Sequence, residues 1–311
     1  MWVLGPSFDP PLINPLPAYT TPEVVAELLT ELKALGIHRI DTAARYLPTN
    51  PGASERLLGE ARAAHEGFTI DTKILIAGDG AGSLEPAPIN RSLHESYARL
   101  GLEETVSICQ APVNVLYCHG PDMKTPLEEQ ASGLDAQYRK GLFKQLGVSN
   151  FSAEMLEQFI AICEREGYLK PSVYQGQYNI VCCASEETLF PILRKHGIAF
   201  NAFSPLAGGF PTGRLTEGVT EGTRFDAGNV MGQAFRIWYD KPAMHDATHG
   251  ISKVEACLRW VCFHSALGPG DRVILGASKP AQLAPNLAAI GNGRLPEEVV
   301  KAMDAIWASV A

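Results

Sequence analysis

Short apolar runs that are rich in β-branched residues recur along the chain, and longer amphipathic segments separate them. This alternation is typical of βα units, in which a buried parallel strand is followed by a helix that covers it. Eight runs are predicted to be strands: Trp2–Leu4, His38–Asp41, Phe68–Lys73, Val113–His119, Lys144–Val148, Ser172–Tyr174, Ile198–Phe203 and Arg272–Leu275.

The segments between these runs carry apolar residues at helical spacing. The clearest is Thr21–Leu35, in which leucines and valines repeat every three or four residues. Thr21 is a suitable N-cap for this helix, and Pro22 suits its first turn. The other predicted helices are Arg91–Arg99, Ala153–Glu166, Glu186–Lys195 and Val254–His264.

Eight strands that alternate with helices satisfy the requirement for a closed (β/α)8 barrel, the TIM barrel. A doubly wound sheet normally carries a GxGxxG turn after its first strand, and the sequence has no such turn there. We therefore predict an α/β fold, a TIM barrel that forms a single domain over residues 1–311, although the weak first strand leaves open a frayed barrel. The segment Pro205–Gly250 contains eight glycines and no clear long helix. We expect it to be a long loop after strand seven that lies over the barrel mouth.

The charge balance and the cysteines argue against several classes of protein. The chain has 26 Lys+Arg against 34 Asp+Glu, and this acidic balance disfavours nucleic acid as a partner because phosphate binding needs a basic surface. Seven cysteines without a CxxC pair do not suggest a zinc or redox motif, so no metal site is expected. No apolar run reaches about 18 residues, and the proline-rich start lacks a basic region. We therefore expect a cytoplasmic protein with no membrane partner.

Four polar side chains of different chemistry stand at or just after the ends of predicted strands. They are the carboxyl group of Asp41, the phenol of Tyr46, the amine of Lys73 and the imidazole of His119. Catalytic groups of a TIM barrel come from the C-terminal ends of its strands, so these four groups are expected to converge. Each one alone has an ordinary explanation, such as a helix cap or a lysine that extends to solvent. The hypothesis of an active site therefore depends on their joint placement.

The residues around these four positions resemble the aldo-keto reductases over nearly the whole chain. The matching segments are residues 41–46 (Asp-Thr-Ala-Ala-Arg-Tyr), Lys73, residues 116–122 (Leu-Tyr-Cys-His-Gly-Pro-Asp), 146–151 (Leu-Gly-Val-Ser-Asn-Phe), 173–179 (Val-Tyr-Gln-Gly-Gln-Tyr-Asn), 203–209 (Phe-Ser-Pro-Leu-Ala-Gly-Gly) and 273–278 (Val-Ile-Leu-Gly-Ala-Ser). The branch that looks most similar is the aflatoxin-aldehyde reductase type, judged by residues 204–209 and by residues 282–286.

This resemblance implies hydride transfer from NADPH to a small-molecule aldehyde or ketone, with Tyr46 as the proton donor. A phenol is a weak acid at neutral pH, so an ammonium group that favours the phenolate would lower its pKa towards the working range. Lys73 would supply that ammonium, and Asp41 would hold the lysine in an ion pair. His119 would donate a hydrogen bond to the substrate carbonyl as a neutral imidazole.

The resemblance also implies a set of cofactor-binding residues. Those expected at the nicotinamide are Ser149, Asn150, Gln175 and Phe203. Those expected at the phosphates and the adenosine are Ser204, Leu206, Gly208, Gly276, Ser278, Gln282 and Asn286. Arg214 and Arg224 are the nearest cations in the long loop, and Lys279 would favour NADP over NAD through its charge.

Two segments have more than one interpretation. Phe225, Trp238 and Tyr239 in the long loop either line a pocket for a planar or apolar substrate or belong to the packed core. Residues 103–112 form an insertion, relative to the family, before the strand that delivers His119. This insertion either shifts that strand or enlarges a loop at the bottom of the barrel.

Two other functions are compatible with parts of this pattern. A regulatory barrel similar to channel β-subunits would bind the cofactor without efficient turnover. An aldolase would use Lys73 as a Schiff-base amine, which requires a neutral lysine and is disfavoured by Asp41. Homodimerisation is expected only from the likeness to the branch.

Overall fold

A curved sheet of parallel strands forms the centre of the molecule. The computed structural model describes residues 19–47, 49–104, 107–212, 215, 218–221, 223, 225–226, 232–240, 254–277 and 280–310. Within these ranges the sheet has seven strands, each hydrogen-bonded to the next in chain order. They are β1 (Arg39–Asp41), β2 (Thr69–Lys73), β3 (Val113–Cys118), β4 (Phe143–Ser149), β5 (Val173–Gln177), β6 (Ala199–Phe203) and β7 (Arg272–Ile274).

The sheet curls into a nearly closed TIM barrel, as predicted. Side chains of distant strands meet inside it: Gln175 on β5 donates to Asp41 on β1 at 2.9 Å, and Asn201 on β6 donates to Tyr117 on β3 at 2.7 Å. Seven of the eight predicted strands overlap an observed strand within a few residues. The predicted strand at Trp2–Leu4 lies outside the described residues.

Helices cover the outside of the barrel. They are α1 (Pro22–Ala34), α2 (Ala53–Glu60), α3 (Pro86–Leu100), α4 (Leu127–Arg139), α5 (Ala153–Glu166), α6 (Ser185–Thr188), α7 (Phe190–His196), α8 (Gly232–Tyr239), α9 (Val254–Phe263), α10 (Leu283–Gly291) and α11 (Glu297–Val310). The prediction for α5 is confirmed at both ends. In α1 the Thr21 hydroxyl accepts from the Val24 N–H, as expected of the N-cap.

Two sequence predictions about helices and one about the long loop need correction. The predicted helix Glu186–Lys195 is two helices, α6 and α7, because Pro191 in the first turn of α7 has no N–H to continue the ladder from α6. The helix predicted at Arg91–Arg99 begins earlier, where Pro86 occupies the first turn. The segment Pro205–Gly250, predicted as a loop after strand seven, follows β6 in the structure. It contains the two-turn helix α8, so its described part is not a loop throughout.

The register between β2 and β3 shifts near the bottom of the barrel. Ile70 pairs with Val113, but Thr72 pairs with Leu116, so β3 carries one extra residue. The Asp71 carboxylate lies beside this bulge and accepts from the Val115 N–H at 3.2 Å. It also accepts from the side chains of Asn114 and Arg39. The backbone group released by the bulge is therefore satisfied by a buried, ion-paired carboxylate.

Among the described residues, the buried side chains on the outside of the sheet differ in polarity from those inside the barrel. Aliphatic and aromatic residues fill the space between the sheet and the helices. Among the described residues, Val115, Tyr117 and Val173 form a second, smaller apolar cluster. Several polar side chains of the strands are also buried, among them Asp41, Lys73, Gln175 and Asn201. Among the described helices, none combines the length and the apolar character needed to cross a membrane.

Candidate active site

The four side chains predicted to converge do meet at the C-terminal ends of the first three described strands. Asp41 ends β1 and Lys73 ends β2, while His119 directly follows β3. Tyr46 stands in the turn after β1, which is closed by a hydrogen bond from its N–H to Ala43. Because β1, β2 and β3 are neighbours in the sheet, their ends share one edge of the barrel.

The Asp41 carboxylate is the centre of this group. One oxygen, Oδ1, accepts from Lys73 Nζ at 2.6 Å and from Gln175 Nε2 at 2.9 Å. The other, Oδ2, accepts from the Tyr46 hydroxyl at 3.0 Å. Asp41 and Lys73 have fully buried side chains, so each charge is compensated by the other and by additional hydrogen bonds.

The electrostatics of Tyr46 differ from the expectation. Burial, followed by the charge of Asp41 and the hydrogen bond to it, raises the pKa of the Tyr46 phenol well above its usual value. Lys73 Nζ lies over the Tyr46 ring, 4.8 Å from its centroid. We expected the ammonium to lower the phenol pKa, but the hydroxyl donates to the carboxylate instead, and a carboxylate favours the neutral phenol.

Lys73 and His119 are both desolvated. Burial lowers the pKa of Lys73, and Asp41, Asp71 and Glu55 oppose this effect through their charges. Burial, with the nearby cations Lys73 and Arg45, lowers the pKa of His119 to about 3. The imidazole is therefore neutral at physiological pH and carries one N–H. Its ring meets the Tyr46 ring edge-on at 5.5 Å, and its Nδ1 is buried with no hydrogen-bond partner in the described structure.

The end of β4 connects to the His119 loop. The Asn150 side chain donates to the His119 carbonyl at 3.0 Å and to the Ser149 hydroxyl at 3.1 Å. Asn150 itself has a left-handed backbone with φ of 61°, an uncommon conformation that is often found at functional sites. The contacts to a carboxamide that the resemblance implies for Ser149, Asn150 and Gln175 remain predictions.

A tightly turned loop follows β6 on the same edge of the barrel. Ser204, Ala207, Gly208 and Gly209 all have positive φ angles, from 46° to 94°. A Cβ atom added to Gly209 would meet no atom of the described residues within 4 Å. Phe203, at the end of β6, is half-buried. Leu206 packs against the main core.

The other predicted cofactor residues are distributed around β7 and α10. Gly276 is half-buried just after β7, Gln282 is exposed before α10, and Asn286 is half-buried within α10. Arg214, Arg224 and Ser278 lie outside the described residues.

The aromatic residues of the long segment contribute to packing. Phe225 and Tyr239 are buried, and both rings contact Phe210. The Tyr239 hydroxyl accepts from the side chains of Gln177 and Asn179. These contacts favour the core alternative over a substrate-facing role for the two rings. Trp238 is in α8, and its side chain lies outside the described structure.

Two features of the site carried no clear signal in the sequence. Gln175 binds Asp41 from the opposite side of the barrel. Asp122 joins the loops after β2 and β3, because its carboxylate accepts from the N–H groups of Gly82, Leu84, Lys124 and Thr125 and from the Thr125 hydroxyl. One buried carboxylate therefore joins the loop that carries His119 to the loop after β2.

Comparisons with known proteins agree with this architecture. The model of the aldo/keto reductase family matches residues 14–308. An aldo-keto reductase of Pseudocercospora fijiensis is 33% identical over 298 residues, which cover 91% of this chain and 97% of that protein. Human aldo-keto reductase family 7 member A3 is 35% identical over 297 residues, with 88% and 85% of the two chains covered. Human aflatoxin B1 aldehyde reductase member 2 is 34% identical over 299 residues, with 89% and 79% covered.

Proposed function

Since the chain belongs to the aldo/keto reductase family, and is therefore an oxidoreductase, we propose that it reduces an aldehyde or ketone to an alcohol with a hydride from NADPH. The observation that carries the proposal is the shared Asp41 carboxylate. It accepts from the Tyr46 phenol and from the Lys73 ammonium at the barrel edge, beside a neutral His119. A proton donor, a buried cation and a neutral hydrogen-bond donor are what carbonyl reduction requires of the protein.

Each of these side chains has a distinct task in the proposed reaction. When bound, NADPH supplies the hydride that the carbonyl carbon accepts. Tyr46 gives its proton to the carbonyl oxygen, which replaces Asp41 as the acceptor of the phenolic O–H. The raised pKa of Tyr46 keeps this proton in place until the oxygen gains charge. Lys73 then stabilises the phenolate, and the N–H of His119 holds the oxygen.

Several residues fit the cofactor. Phe203, half-buried at the end of β6, suits contact with a planar ring, and Ser149 and Asn150 carry polar groups at the end of β4 on the same edge of the barrel. The loop of left-handed residues after β6, which contains Ser204, Ala207 and Gly208, suits a phosphate that approaches the backbone. Gln282 and Asn286 would contact the adenosine end. The choice of NADPH over NADH rests on the resemblance.

The test is turnover of the purified protein with NADPH and a panel of aldehydes. We expect sustained oxidation of NADPH by the wild-type protein and a loss of about hundredfold or more in kcat for Tyr46→Phe, because an acid catalyst contributes about 10²–10⁴-fold. NADPH fluorescence should report binding by both proteins. Equal turnover by the variant would remove Tyr46 from the role of proton donor. Binding without oxidation by the wild-type protein would instead indicate a regulatory barrel.

A further inference from the structure

The Lys73 ammonium is enclosed by two aromatic rings. Its Nζ lies 4.8 Å from the centroid of the Tyr46 ring and 5.3 Å from the centroid of the Tyr117 ring. It donates hydrogen bonds to Asp41 and to the Thr42 carbonyl, and the described residues give it no third hydrogen bond. An ammonium has three N–H donors, so part of its charge faces the rings. Tyr46 belongs to the proposed chemistry, but nothing so far explains Tyr117.

Tyr117 lies next to Lys73 on the neighbouring strand, and several contacts hold its ring in place. Lys73, Tyr117 and Gly147 are register partners on β2, β3 and β4 and form one row across the inside of the barrel. A Cβ atom on Gly147 would come within 2.2 Å of the Tyr117 ring, so the ring lies directly against the glycine backbone. Across the barrel, the Tyr117 hydroxyl accepts from Asn201 at 2.7 Å. The ring is thus held between the glycine on one side and the ammonium on the other.

From this row we infer that Tyr117 is a positioning residue for Lys73, and that its ring face keeps the buried ammonium charged and in place. The inference deepens the proposed function, because it concerns the cation assigned there to the phenolate. The interaction is between a cation and a π system, which strengthens when water is excluded. Tyr117 acts through its ring and not through ionisation, since burial and the charge of Asp71 raise its pKa well above the usual value.

Other charged and titratable groups also face Lys73. They are Asp41 on β1, Tyr46 in the turn after β1, Glu55 on α2, Asp71 on β2 and His119 after β3. A useful variant therefore leaves all five unchanged. Tyr117→Phe keeps the ring and removes only the hydroxyl, whereas Tyr117→Leu removes the ring and keeps an apolar side chain. Because both variants place an apolar side chain next to Lys73 and both lack the Tyr117 hydroxyl, a difference between them reports the ring face.

The direct test is an NMR titration of the Lys73 ammonium in protein that contains isotope-labelled lysine, with Lys73→Arg used only to assign the signal. We expect the wild-type protein and Tyr117→Phe to titrate alike and Tyr117→Leu to lose its proton about one pH unit lower. If Lys73 loses its proton at the same pH in Tyr117→Leu and Tyr117→Phe, the inference is wrong. If Tyr117→Leu does not fold, Tyr117→Met offers the same comparison, because an unbranched side chain fills irregular space.

Turnover gives a second readout that separates the two proposals. Lys73 must be charged to stabilise the phenolate, so the basic limb of the kcat profile should move to lower pH by about one unit in Tyr117→Leu and stay in place in Tyr117→Phe. A role limited to packing would lower Tm without moving this limb. If the wild-type protein oxidises no NADPH with any aldehyde, the proposed function fails, and the NMR titration still decides the role of Tyr117.

Discussion

At the scale of single residues, one buried carboxylate controls the protonation of two neighbours. Asp41 accepts from the Tyr46 phenol and from the Lys73 ammonium through different oxygens. Its charge keeps the proton on the phenol and opposes the loss of the proton from the lysine, which burial alone would favour. In the proposed reaction, the phenol and the ammonium would thus be in the protonated states that carbonyl reduction needs before any substrate binds.

A second carboxylate, Asp122, should control the stability of the loops that border the site. Burial alone would raise its pKa, but hydrogen bonds from the Thr125 hydroxyl and from three backbone N–H groups outweigh burial and hold the pKa at about 2. We expect Asp122→Asn to lower the free energy of unfolding at pH 7 by roughly 3 kcal/mol, because buried N–H donors lose a charged acceptor. Urea denaturation would measure this difference.

The pH dependence of this effect has a definite sign. A carboxylate whose pKa is lower in the folded state stabilises the protein above the unfolded pKa, which is 3.8 for Asp, and this contribution disappears as the pH falls towards 2. The difference in the free energy of unfolding between wild type and Asp122→Asn should therefore become smaller as the pH falls from 4 to about 2. Asp79→Asn is the matched control, because Asp79 is exposed and accepts one N–H in the same region. If Asp79→Asn and Asp122→Asn lower the free energy of unfolding equally, Asp122 does not have the stabilising role that we assign to it.

The sequence could predict the convergence of Asp41, Tyr46, Lys73 and His119, because each lies at or near a strand end and the strands are parallel neighbours. It could not predict that Gln175 binds Asp41. Those two residues are 134 positions apart and meet only because the sheet curls. The prediction that the Tyr46 pKa is lowered was wrong for a similar reason. The shift depends on whether the hydroxyl contacts the carboxylate or the ammonium, and the sequence does not show which of the two it contacts.

At the scale of elements, two of the helices that periodicity did not predict, α2 and α4, have buried faces that are partly polar. Helix α2 buries Ser54 and Glu55, and α4 buries Gln130 and Asp135. These side chains are buried because each has a partner; Glu55, for example, accepts from Thr72 and Arg99. A search for apolar residues at helical spacing finds α1 and α5 but passes over a helix whose inner face is made of hydrogen-bonded polar groups.

The contact between α2 and α3 gives a prediction at this scale. A Cβ atom on Gly59 would lie 2.1 Å from the Arg99 carbonyl oxygen, so the two helices approach as closely as they do only because residue 59 is glycine. We expect Gly59→Ala to lower the free energy of unfolding by roughly 1–3 kcal/mol, since rigid backbone must move apart. This loss exceeds the gain in helix propensity, which is about 1 kcal/mol. Denaturant unfolding would measure it.

Gly291 provides the control for this substitution. It is the last residue of α10, and a Cβ atom there would meet no atom of the described residues within 4 Å. Gly291→Ala should therefore leave stability unchanged or raise it by up to about 1 kcal/mol through propensity alone. If Gly59→Ala and Gly291→Ala change the free energy of unfolding by the same amount, the α2–α3 contact does not need a glycine at residue 59.

At the scale of the whole molecule, the barrel encloses charge as well as apolar groups. The buried pair of Asp41 and Lys73 stands at the upper edge, and the pair of Arg39 and Asp71 lies lower, beside the bulge in β3. The eightfold alternation of strands and helices predicted a barrel but not this polar interior. The alternation indicates which residues form strands, but it does not indicate which side chains contact one another inside the barrel. Paired charges fix the relative positions of strands, because a displaced strand would leave a buried charge uncompensated.

A barrel of this kind should be stabilised as a unit by its cofactor. A ligand that binds only the folded state adds RT ln(1 + [L]/Kd), which is about 2.7 kcal/mol at a hundred times Kd. For a chain of 311 residues we expect this to raise Tm by roughly 5 °C when NADPH is added at that concentration. Differential scanning fluorimetry would measure the shift, and Tyr46→Phe should show it as well, because the phenol is assigned to chemistry and not to the nucleotide.

The same measurement with NADH examines the choice of nucleotide. The two molecules differ by the 2′-phosphate, so a pocket that provides cations for this group should give a smaller Tm shift with NADH at equal concentration. Equal shifts would mean that the protein binds either nucleotide and that the 2′-phosphate is not recognised. No shift with either one would contradict cofactor binding itself, and with it the hydride source on which the proposed reduction depends.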